Sequence, residues 1–108
     1  MNVDDGAKRQ HFLAEIEQSI KIANREVIHQ KIPPVSKKNM LSFAVSVARL
    51  RAQYLEAAFI FSDKVQGDGI EDGDVTVLTN HRERYEQTRA AFEALTQAID
   101  RGYVDIAE

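Results

Sequence analysis

Apolar residues recur along this chain at alternating steps of three and four, in three separate runs. The first run, about residues 5–31, places Leu13, Ile16, Ile20, Ala23 and Val27 at steps of 3, 4, 3 and 4. That spacing is one stripe of a helix and not the alternation of a strand. The second run, about 37–65, carries two seams side by side. One is Met40, Phe43, Val47, Leu50, Tyr54, Ala57 and Phe61; the other is Leu41, Ala44, Ala48, Leu55 and Ala58. Together they cover roughly two-thirds of the helical circumference and leave a narrow polar face of Ser42, Ser46, Arg49, Gln53 and Glu56. The third run, about 75–101, has the seam Leu78, His81, Tyr85, Thr88, Phe92, Leu95 and Ile99.

The breakers fall between these runs. Pro33 and Pro34 stop the first helix, because a residue before proline is pushed out of helical geometry. Gly67, Gly69 and Gly73 punctuate the second connection. Ser36 is placed to cap the second helix, and Asp74 or Thr76 the third. Gly102 suits the left-handed position after the last helix, with Tyr103 or Val104 folding back on its final turn. The pattern predicts an all-α fold, an antiparallel up-down-up three-helix bundle over 5–31, 37–65 and 75–101. It is read as a single domain, 1–108, with a short acidic N-terminal tail at 1–4 and a C-terminal tail at 103–108. The doubly apolar middle helix needs neighbours on two sides. The alternative arrangement is a helical hairpin with an extended further helix, its core completed by dimerisation.

Composition narrows the chemistry. At 108 residues the chain has room for one core only. Zero cysteines remove disulfides, thiolate metal sites and thiol catalysis together. A formal net charge of −3 gives no pull toward nucleic acid or anionic lipid. The most apolar stretch, Met40 to Phe61, contains Arg49, Arg51 and Glu56, which argues against a membrane span. No apolar leader is visible at the N-terminus, so a soluble, cytoplasmic protein is expected.

Antiparallel folding about the two connections sets residues at the same height. It puts Arg51 beside Glu17 and Thr88, and it puts His81 on the core seam level with Phe59. A buried guanidinium needs a partner, so a polar layer of Arg51, Glu17, Thr88 and His81 is predicted, with a structural role. The same arrangement gathers Asp4, Asp5, Asp63, Asp68, Glu71, Asp72 and Asp74 at one end, and His29, Lys31, Lys37 and Lys38 at the other. On the third helix, Arg82, Glu83, Arg84, Glu86, Arg89 and Glu93 alternate in sign and read as a solvent face with local pairs such as Arg82–Glu86. The loop from Asp68 aligns poorly with a calcium loop, because Ile70 and Thr79 fall where oxygen ligands belong. No metal and no cofactor is expected.

An interaction or self-association module without catalysis is the function expected. Its surface would be the surplus of the middle helix: Leu41, Val45, Ala52, Phe59 and Ile60. A homodimer or another protein is the expected partner, with no nucleic acid and no membrane. Two other functions are open. His81 is followed by Arg84 three residues on, as in histidine phosphotransfer domains, but Tyr85 stands where those domains have a small residue. A small-ligand pocket could also form near Tyr54, Tyr85, Arg51 and His81.

Overall fold

A computed structural model describes residues 3–107; Met1 and Asn2 of the expected N-terminal tail, and Glu108 of the C-terminal one, lie outside the described residues. The chain is all-α. Helix α1 spans Val3–Lys31, α2 Lys37–Gln66 and α3 Asp72–Asp100. These residues fall into two compact units, Met1–Ser36 with Thr96–Glu108, and Lys37–Leu95.

The unit Lys37–Leu95 is an antiparallel hairpin of α2 and the greater part of α3. Its seam is the one the periodicity predicts. Met40, Phe43, Leu50, Tyr54, Ala57 and Phe61 of α2 are half-buried, as are Leu78, His81, Tyr85, Thr88, Phe92 and Leu95 of α3. Val47, at 7% exposure, is the most enclosed. Phe43 meets Phe92 with ring centroids 5.4 Å apart, and Tyr54 stacks on Tyr85 at 6.0 Å. Aromatic pairs of this geometry contribute about 0.5–1.5 kcal/mol beyond the area they bury.

Helix α3 begins at Asp72, earlier than the expected start near Val75. The cause is Asp74, which caps from inside the helix. The Glu71 backbone N–H donates to Asp74 Oδ2 at 2.9 Å. This is the returning half of a capping box, made by a third-position carboxylate. The Thr76 hydroxyl bonds back to the Asp72 carbonyl at 3.3 Å and caps nothing. Lys64 Nζ, on the last turn of α2, reaches Asp74 Oδ1 at 2.5 Å.

The Lys64 hydrogen bond, and then the Glu71 amide, hold the Asp74 carboxyl below its ordinary 3.8. A lowered folded-state pKa means that folding favours the ionised form. The contribution is complete above the ordinary value and fades as pH falls through the lowered one. Asp74→Asn is therefore expected to lower the melting temperature at pH 7, by an amount that shrinks as the pH is taken down below the ordinary carboxylate range, as followed by circular dichroism.

The other unit joins α1 to the end of α3 through the C-terminal segment. The α3 terminus closes as expected. Gly102 has φ of +77°, its N–H bonds the Ile99 carbonyl at 3.0 Å, and the Tyr103 N–H bonds Ala98 at 2.8 Å. Those two bonds make a Schellman cap. The segment after it does more than fold back on that turn. The Val35 N–H donates to Asp105 O at 2.9 Å and the Ala107 N–H to Val35 O at 2.7 Å, a parallel bridge beside Ile106. Val35 and Val104 are both buried. Arg25 Nη2 lies 2.7 Å from Asp105 Oδ1.

Two sequence expectations change here. Asp4, expected in the N-terminal tail, joins Asp5 in the first turn of α1, where both face the positive end of the helix dipole. The α1 stripe Leu13, Ile16, Ile20, Ala23 and Val27 is exposed along its whole length; the half-buried side chains are Lys21, Asn24 and Ile28. The C-terminal segment takes the neighbouring face of the helix. The Lys21 chain even crosses Gly102, where an added Cβ would meet Lys21 Cε at 2.9 Å. Gly102→Ala is expected to cost about 1–2 kcal/mol, from left-handed strain and the displaced lysine stem. Urea denaturation would measure it, and an unchanged midpoint would contradict it.

Candidate interaction surface

Among the described residues no polar or charged side chain is buried. The predicted polar layer is therefore not a buried one. Arg51 is exposed, and its Nε donates to Tyr85 Oη at 3.1 Å. The guanidinium carbon also lies 5.2 Å from the Tyr85 ring centre. The expected partner on α3, Thr88, is one turn further along. Glu17 belongs to the other unit and is exposed there. The charges of Arg51 and Glu17 stay in solvent, so neither needs the other for burial. Tyr54 and Tyr85 are engaged in the hairpin seam through their stack and the Arg51 bond.

His81 is half-buried in a groove between α2 and α3, with Gln53, Glu56, Ile60 and Lys64 around it. The groove encloses about 200 Å³. Ligand pockets typically hold ~300–1,000 Å³, so this one is small. In the 67–74 loop the calcium alignment fails, because Asp72 and Asp74 are already inside α3 and Asp74 is taken by Lys64. Among the described residues no cluster of three or more His, Asp or Glu side chains could hold a metal ion. None of the described helices is long and apolar enough to cross a membrane. On α3 the local ion pair is Arg89–Glu93 at 2.7 Å.

The exposed apolar residues of α2 make a surface of a different kind. Leu41, Val45, Ala52, Phe59 and Ile60 are all exposed, Leu41 to 64% and Phe59 to 74%. Ala48 and Leu55 are exposed with them. Leu41, Val45, Ala48, Ala52, Leu55 and Phe59 step by 4, 3, 4, 3 and 4, an unbroken stripe about five turns long. At 100° per residue it lies nearly opposite the seam that meets α3. The repeat Leu41, Ala44, Ala48, Leu55 and Ala58 therefore divides between two faces, with Ala44 and Ala58 half-buried. Ala44 and Ala58 flank the hairpin side; Val45, Ala52 and Phe59 complete the open side. The signal was present as a second 3-4 repeat, shifted by two residues from the packed one.

Helix α2 is thus apolar on two faces, one of them packed against α3 and the other open. The arrangement defines an all-helical chain whose clearest unpartnered feature is a helix face. The chain matches no known family model, no curated protein and no solved structure.

Proposed function

We infer that the chain is a small cytoplasmic protein–protein interaction module, without catalysis, that self-associates through the open stripe of α2. The carrying observation is the stripe itself, with six apolar residues in helical register facing solvent. An exposed apolar face of this regularity marks an interface. A second copy is the simplest cover for it, since a two-fold contact needs only one self-complementary patch. Three of the side chains that could carry chemistry are engaged locally, which is in keeping with the same reading. Arg51 bonds Tyr85, Lys64 pairs with Asp74, and His11 with Glu15.

Sedimentation velocity over a roughly hundredfold range of concentration tests it. A reversible monomer–dimer equilibrium in the micromolar range is the expected result. A sedimentation coefficient that stays monomeric throughout overturns the self-association reading.

A further inference from the structure

We propose that the open stripe of α2 is covered by the same stripe of a second copy, running antiparallel about a two-fold axis at Leu50. The proposal rests on the self-association reading above and adds its geometry. Three features of α2 carry it.

The first is that the stripe mirrors itself. Reflected about Leu50, Leu41 falls opposite Phe59, Val45 opposite Leu55, and Ala48 opposite Ala52. Every apolar position then meets an apolar position, with none left over. The exposed stripe of α1 does not do this. In one antiparallel register Leu13 faces Gln30, and in the other Val27 faces Arg9.

The second is the order of sizes. The alanines lie at the centre and the large residues at the ends. Helices crossing at an angle are closest at the crossing point, where small side chains permit an interaxial distance near the ~8 Å lower limit. They diverge outward, where Phe59 and Leu41 have the volume to fill the gap.

The third is charge. Lys38, Arg49, Glu56 and Asp63 are exposed and form a row along one edge of the stripe, basic in the first half of α2 and acidic in the second. A two-fold axis across the pair places both copies' rows on the same edge, running in opposite directions. Lys38 then lies within about one residue rise, ~1.5 Å along the axis, of the other copy's Asp63. The two Arg49 side chains flank the axis, each with an opposite-copy Glu56 about one and a half turns away, within diagonal reach. A parallel two-fold pair would instead put the two rows on opposite edges, where they do not meet.

Charge reversal tests the register. Dimerisation is measured by sedimentation equilibrium at low salt for wild type, Lys38→Glu, Asp63→Lys and the double variant. Both substitutions fall on exposed positions, and circular dichroism checks that each variant stays helical. Each single reversal is expected to weaken the dimer about tenfold, because it acts at two symmetric sites. The double variant is expected to return to within about threefold of wild type. A wild-type dimer whose double variant is no tighter than the singles overturns this geometry and leaves the self-association reading standing. So does a dimer equally tight in all three variants and in wild type. A wild-type chain that is monomeric throughout overturns both; α1 of the same chain or a different protein would then be the occupant.

Discussion

Phe59→Asp is expected to leave the helices intact and to turn the self-associating chain into a monomer at micromolar concentration. In the single chain Phe59 is 74% exposed, so its removal takes almost nothing from the fold. In the mirrored pair each Phe59 lies against the other copy's Leu41, and the substitution acts twice. Each site loses an aromatic anchor and gains a carboxylate that must shed water without a partner. About 2 kcal/mol per site is a modest value for such a change. Two sites give about 4 kcal/mol, or roughly a thousandfold in the dissociation constant. Sedimentation velocity reads the loss, and far-ultraviolet circular dichroism reads the intact helices. Ile60→Asp is the informative comparison. Ile60 is also exposed but points toward the His81 groove, away from the stripe, so its effect should be much smaller. Equal losses for the two variants would place the interface on the groove side of α2.

How far the sequence foresaw this surface depends on how local its signals are. The hairpin seam was legible because each half is a 3-4 repeat on a single helix, and Phe43, Tyr54, Tyr85 and Phe92 fall where the repeat puts them. The cap at Gly102 was legible for the same reason: a left-handed position after a helix strongly favours glycine. The α2 stripe was visible only as a surplus. Which alanine belongs to which face depends on the side that α3 occupies, and a single helix does not record that. Arg51 shows the limit of register arguments. Its height was right to within a turn, but a guanidinium on a long stem can choose between Thr88 and Tyr85, and the phenol offers both a hydroxyl acceptor and a ring face. The packing of α1 was the least legible. Its strongest apolar stripe is exposed, while Lys21, Asn24 and Ile28 take the half-buried positions. The segment that takes them comes from the far end of the chain and has no periodicity to announce it.

That segment sets the second large effect. Val104→Asp is expected to release the C-terminal segment and to destabilise the unit it closes by about 3 kcal/mol. Val104 is 6% exposed, the lowest value among the described residues, and Val35 stands at 9%. The parallel bridge between Val35 and Ile106, next to Val104, supplies two backbone hydrogen bonds, at 2.9 and 2.7 Å. Pro34, just before Val35, has no N–H to give, so the bridge rests on Val35 itself, whose N–H and carbonyl are both used. Two isolated bonds of that kind hold a segment only while water is kept away, and Val104 with Val35 is what keeps it away. The Arg25–Asp105 pair is a lesser tie, because both side chains are nearly half exposed and such pairs contribute about 0–1 kcal/mol. Arg25→Ala should therefore cost under about 1 kcal/mol, and Val104→Ala about 1–2 kcal/mol. Native-state hydrogen exchange gives the direct readout at the Val35 and Ala107 amides. Val104→Asp should bring both close to unprotected rates, whereas Arg25→Ala should leave most of their protection in place. If Arg25→Ala exposes them as fully as Val104→Asp does, the ion pair and not the apolar seal holds the segment.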